Sequence, residues 1–91
     1  MSVLMRFAPA GTPEQYDEVI RRFGADFPPD GLELHVCFLV DGGFRVSEIW
    51  ESQEHFNAWS ERLMPVLTEL GVDLPSQPEV FEVHNIIHGV R

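Results

Sequence analysis

Leu32 to Trp50 reads LELHVCFLVDGGFRVSEIW, and the fold follows from how this stretch turns back on itself. Two runs rich in Val, Leu, Ile and Phe flank Asp41-Gly42-Gly43, turn chemistry that lets a chain reverse tightly. The reading is a β-hairpin at the centre of a sheet. Its face assignment depends on the loop. A two-residue loop groups His35 and Cys37 with Glu48 and Trp50 on one face, whereas a three-residue loop groups them with Arg45 and Ser47. The two-residue loop is favoured, because primed turns match the twist of the strands.

Outward from the hairpin, the preceding segment predicts a strand over Ser2–Ala8, with Val3, Met5 and Phe7 on one face. Thr12 then reads as an N-cap, with Pro13 in the first helical position and Gln15 completing a capping box. Tyr16, Val19, Ile20 and Phe23 follow at helical spacing, and Gly24 is the stop. After the hairpin, Ser52 caps a second helix with Glu54 in its first turn. Phe56, Trp59, Leu63, Val66, Leu67 and Leu70 form its apolar stripe. Pro65 lies inside it and predicts a kink or restart near Met64. Val72–Pro78, with Pro75, is a connector, Glu79–Ile87 a last strand, and His88–Arg91 a tail.

The order β-α-β-β-α-β predicts an α+β, ferredoxin-like chain: a four-stranded antiparallel sheet with both helices on one face, as one domain over 1–91. The hairpin strands are apolar at nearly every position, a pattern of strands buried on both faces. Helices cover one face, and a second copy of the sheet is the simplest cover for the other. A lone domain this small buries only about 60–65% of its unfolded surface, which also favours a homodimer.

Composition excludes several function classes. Fifteen acids against six basic residues, all arginine, give a net charge of −9, which argues against nucleic acid and anionic membranes. The absence of lysine removes Schiff-base chemistry. Cys37 is alone, fitting a reducing cytoplasm, and no signal segment or membrane-length apolar run is evident.

The candidate chemistry lies mainly on the hairpin. His35 stands in an apolar run and reads either as a general acid or base tuned by burial and Glu48, or as a satisfied core or interface histidine. His84 is similar in kind, with Asn85 as an orienting partner. Glu48 is the most unexpected carboxylate, either functional or paired with Arg6 or Arg45. Tyr16, Trp50, Phe56 and Trp59 could wall a cavity for a flat apolar ligand, although helical spacing makes Phe56 and Trp59 core by default. Cys37 is a weak nucleophile candidate and a lining residue. No ligand-spacing motif supports a metal site from His35, His84 and Glu48, and no glycine-rich phosphate loop is present.

Val46-Ser47-Glu48-Ile49-Trp50-Glu51-Ser52, running from a strand into a helix that carries Phe56, resembles the dimeric α+β-barrel superfamily. The similarity is to the branch named for antibiotic biosynthesis monooxygenases, and within it to short actinobacterial members. His35-Val36 and Val83-His84-Asn85 match pairs that recur there. The resemblance implies the βαββαβ fold and a homodimer. It also implies a cofactor-independent monooxygenase or a cyclase or isomerase acting on an aromatic or polyketide-like metabolite. Trp50 matches the branch's Trp in position, whereas no Asn stands on the first strand, and haem has only His55 as a loose counterpart. The resulting expectation is an enzyme with His35, His84 and Glu48 catalytic and no cofactor. Against it stands a non-catalytic ligand-binding or structural dimer with the same groups as interface links.

Overall fold

The computed structural model describes residues 1–74 and 77–89. In chain order these form β1 (Val3–Phe7), α1 (Pro13–Phe23), β2 (Leu32–Val40), β3 (Gly43–Trp50), α2 (Gln53–Glu69) and β4 (Glu79–Glu82). The strands make one antiparallel sheet in the order β2-β3-β1-β4, the split-βαβ arrangement expected from the sequence. No helix among the described residues is long and apolar enough to cross a membrane.

The hairpin closes through the two-residue loop. Val40 pairs with Gly43, leaving Asp41 and Gly42 as the central residues at φ +48° and +79°. Positive φ at both positions is what a type I′ turn requires. His35 therefore pairs with Glu48 and Cys37 with Val46. A bulge at Glu33 shifts the register by one residue, so Leu32 pairs with Trp50 and joins the core while Leu34 turns to the opposite face.

α1 begins as its sequence dictates. Thr12 Oγ1 accepts from the Gln15 amide at 3.1 Å, and Gln15 Oε1 accepts from the Thr12 amide at 2.8 Å. α2 starts where Ser52 Oγ accepts from the His55 amide at 3.2 Å. It then runs unbroken through Pro65, so the expected restart near Met64 does not occur. Packing of its inner face on the sheet outweighs the one hydrogen bond that proline removes.

Both helices lie over the same sheet face. Met5, Trp50 and Trp59 form one buried cluster, and Val19, Leu67 and Val72 form another beneath the helix pair. Along β3 the even positions Phe44, Val46, Glu48 and Trp50 are all buried, while the odd positions face the other way. That other face is open in a single chain. Leu34, Val36, Phe38 and Phe81 expose 51%, 42%, 38% and 47% of their surface.

The last strand is shorter than predicted. β4 pairs with β1 only from Glu79 to Glu82, because β1 begins at Val3, the partner of Glu82. One more hydrogen bond, from the Val83 amide to the Ser2 carbonyl at 3.0 Å, ends the ladder. His84 and Asn85 therefore fall beyond the strand. Pro75 of the expected connector and Arg91 of the expected tail lie outside the described residues.

Candidate functional site

Between the sheet and the helices lies a cavity of about 90 Å³. Its lining is apolar or aromatic apart from Tyr16, His35, Glu48 and Ser60. A single water needs roughly 10–15 Å³ and drug-sized ligand sites span about 300–1,000 Å³, so the space holds a few waters or part of a ring system. Met64 of α2 reaches both this cavity and solvent, being 41% exposed. A larger ligand enters only if such side chains move.

At the floor of the cavity three elements assemble a hydrogen-bonded chain. α1 contributes Tyr16, whose hydroxyl lies 2.6 Å from His35 Nε2. β2 contributes His35, whose Nδ1 lies 2.6 Å from Glu48 Oε2. β3 contributes Glu48, whose other oxygen accepts from Trp50 Nε1 at 3.0 Å. Strand parity explains half of this. Glu48 and Trp50 are two residues apart on one strand, so both face inward, and His35 is the cross-strand partner of Glu48.

Donors and acceptors match along the chain. The indole N–H can only donate, so Glu48 accepts there and also accepts the Nδ1–H of His35. Where Nδ1 carries the one ring proton, Nε2 turns its lone pair toward Tyr16, whose O–H donates to it. This is the order of a base held in one tautomer by a buried carboxylate, with a phenol on its other nitrogen and all three groups on the cavity wall. The imidazole is held by rings as well. Tyr16 stacks on it at 5.8 Å with 17° between planes, and Phe27 meets it edge-on at 5.2 Å.

Burial, followed by the neighbouring Cys37, Glu48 and Asp17, pushes the Tyr16 phenol up to about 12. It is therefore a protonated hydrogen-bond donor at neutral pH, not a phenolate. Burial likewise pushes the Cys37 thiol above its ordinary value, which removes the thiolate a nucleophile requires.

Several sequence expectations meet in this site and several do not. His35, Glu48, Tyr16, Phe56 and Trp59 all line the cavity. Trp50 does not: it is fully buried, and its indole fixes Glu48 in place of touching a ligand. Cys37 faces the helix side but lies off the cavity wall, beside Tyr16. His84 and Asn85 are exposed beyond the end of β4 and take no part. Arg6 and Arg45 do not pair with Glu48, because their positions opposite Ser47 and Phe38 put them on the other sheet face. Among the described residues no group of three His, Cys, Asp or Glu converges as a metal site would require. Sequence reasoning missed Phe27 and Phe44, which lie in loop-adjacent positions without helical spacing. It also missed Ser60, whose place on the inner stripe of α2 between Trp59 and Leu63 could have revealed it.

No family model and no curated protein matches the chain. Solved structures do. SnoaB, a cofactor-independent oxygenase from Streptomyces nogalater, superposes with a TM-score of 0.61 at 19% identity over 94% of each chain. A Deinococcus radiodurans protein provisionally described as an antibiotic biosynthesis monooxygenase gives 0.61 at 16% identity over the whole of both chains. A similarly described protein from Chloroflexus aurantiacus gives 0.58 at 18% identity, covering 99% of this chain and 97% of the other. At such identities the likeness is one of architecture: this chain has the α+β, ferredoxin-like fold of the antibiotic biosynthesis monooxygenases.

Proposed function

We propose that the protein is a small homodimeric enzyme that holds a flat, largely apolar metabolite over Tyr16 and moves a proton with His35. The observation that carries this reading is the Tyr16–His35–Glu48 chain, with both links at 2.6 Å, set into an otherwise apolar wall. A base backed by a buried carboxylate and shielded from water is the equipment for removing a proton from an enolisable or phenolic substrate. The reaction best matched is a cofactor-free oxidation. Loss of a C–H proton gives a delocalised carbanion that dioxygen can attack, and loss of water leaves a carbonyl, so that CH₂ and O₂ become C=O and H₂O. Support for the oxygen step is the shared fold with SnoaB, itself a cofactor-independent oxygenase. Cyclisation or isomerisation would use the same proton transfer without oxygen. The lone Cys37 agrees with a cytoplasmic site of action.

The test is a panel of cyclic, enolisable aryl ketones and hydroxyarenes incubated with the protein under ¹⁸O₂. Expected is oxygen uptake and label in the product, lost in His35→Ala. Binding without turnover across the panel, with a product-free His35→Ala difference confined to melting temperature, would overturn the enzymatic reading. The small cavity favours that second reading, a non-catalytic dimer in which His35, Glu48 and Trp50 are buried polar links.

A further inference from the structure

Tyr16 is the only tyrosine in the chain, and it lines the cavity beside His35, its hydroxyl 2.6 Å from the imidazole Nε2. Proton transfer uses that phenol as a wire, but the same geometry equips it to give up an electron. Removing an electron from a phenol makes its proton strongly acidic, so oxidation is easy only where a base is already aligned to take that proton. His35 Nε2 is so aligned at 2.6 Å. Its Nδ1 is anchored on Glu48, which is 6% exposed, so the imidazolium formed is at once half of a buried ion pair.

We propose that Tyr16 is a redox-active residue: a small apolar radical or one-electron oxidant in the cavity takes an electron from its ring while the phenolic proton crosses to His35. The step balances. An oxidant such as an aryloxyl or peroxyl radical becomes its anion, Tyr–OH becomes a neutral tyrosyl radical, and neutral His35 becomes imidazolium beside Glu48. Reset takes one electron from a small reductant and returns the proton from Nε2 to the phenolic oxygen. The surroundings suit such a radical. Phe44 lies 5.4 Å from the Tyr16 ring and His35 stacks on it, so other rings cover part of its faces. Burial disfavours the phenolate, so loss of the proton ahead of the electron is disfavoured at neutral pH. The inference does not depend on which metabolite the protein turns over, or on turnover at all.

The titratable groups facing Tyr16 are His35 and Cys37 on β2, Glu48 on β3 and Asp17 on its own helix, while α2 offers the cavity Ser60 and apolar side chains. Of these His35 lies 2.6 Å from the phenol and Cys37 also hydrogen-bonds with it, so once Cys37 is removed His35 is the acceptor that the rate should follow. The experiment oxidises the Cys37→Ala protein with hexachloroiridate(IV), the thiol being removed because this oxidant attacks it. Freeze-quenched samples are read by electron paramagnetic resonance, with ring-deuterated tyrosine to mark the single site. Expected is a tyrosyl signal that narrows on deuteration, forms more slowly in D₂O, and slows about tenfold or more at a pH low enough to protonate His35. A further His35→Phe change should slow it by about the same factor. A radical confined to Trp50 or Trp59, or a tyrosyl signal whose rate ignores pH, D₂O and His35→Phe, would overturn the proposal. Should His35→Phe fail to fold, the pH profile and the solvent isotope effect of the parent decide by themselves.

Discussion

His35 and Glu48 stand directly opposite each other in the β2–β3 register, and Nδ1 of one lies 2.6 Å from Oε2 of the other. The pairing makes β3 a strand whose buried carboxylate is also a structural bolt, since Glu48 satisfies two donors at once.

Glu48→Ala strips the acceptor from both the His35 Nδ1–H and the Trp50 indole N–H. A buried donor left without a partner costs about 1–3 kcal/mol, so with two donors stranded urea unfolding should show a loss of about 2–6 kcal/mol. Glu48→Gln keeps one acceptor oxygen and should lose about half as much. On the enzymatic reading, Gln nonetheless abolishes turnover, because it no longer offers a negative charge to an imidazolium. Glu48→Ala unfolding at the wild-type midpoint would show that the buried network contributes nothing.

Gly31→Ala tests the loop that leads into β2. Gly31 has φ +85°, and a Cβ there would lie 2.3 Å from His55 Cγ and 2.6 Å from His55 Cβ. Neither atom is the far end of a mobile side chain, so the start of α2 must shift and the Ser52–His55 cap with it. A loss of about 1–3 kcal/mol is expected, read as a lower melting temperature. His55→Gly, which removes the Cβ together with the ring, should relieve the clash, making the double variant more stable than the sum of the two single changes.

The hairpin, its two-residue loop and the His35–Glu48 face were legible because each rests on local chemistry: the Asp-Gly turn and strand parity. The helix starts were legible for the same reason, through Thr12 with Gln15 and through Ser52. What the sequence hid depends on partners far along the chain. β4 looked nine residues long because Val83 to Ile87 remain apolar enough for a strand, but its length is set by where β1 begins. Trp50 looked like a ligand wall because parity places it inward, and only its rotamer aims the indole N–H at Glu48. Tyr16 read as one member of a stripe, since the spacing of α1 says nothing of which β2 residue lies beneath it.

The open sheet face gives a third expectation. Leu34, Val36 and Phe38 alternate along β2 with exposures of 51%, 42% and 38%, and Phe81 on β4 extends the apolar surface to the far edge. Contiguous apolar surface of this kind marks an interface, and a second copy presenting the same face is the simplest cover. Light scattering should give a mass near twice the 10.4 kDa of one chain. Val36→Glu places a charge between Leu34 and Phe38 in the β2 row of that surface and should release monomers. A wild-type mass of one chain would remove the dimer, leaving the cavity chemistry unaffected because every residue of the Tyr16–His35–Glu48 chain belongs to one protomer.

The single tyrosine supplies the last expectation, and its sign can be worked out. The Tyr16 phenol ionises at about 12 in the folded protein, against its ordinary value of 10.0 once unfolded. Below pH 10 both states hold the proton, and the phenol makes stability independent of pH. Between about 10 and 12 the unfolded chain releases it while the folded chain keeps it, so the unfolded state gains and stability falls as pH rises. Above that range both states are ionised and the contribution is lost. Absorbance titration of the folded protein should place phenolate formation about where the folded value lies, and denaturation curves should show the decline across the same window. In the Cys37→Ala protein, which lacks the thiol that burial also raises, Tyr16→Phe should flatten that decline, because the sequence holds no other tyrosine to titrate. A folded phenol that ionises at its ordinary value would mean that water reaches the hydroxyl, and a hydroxyl in contact with water could not be reserved for the His35 imidazole.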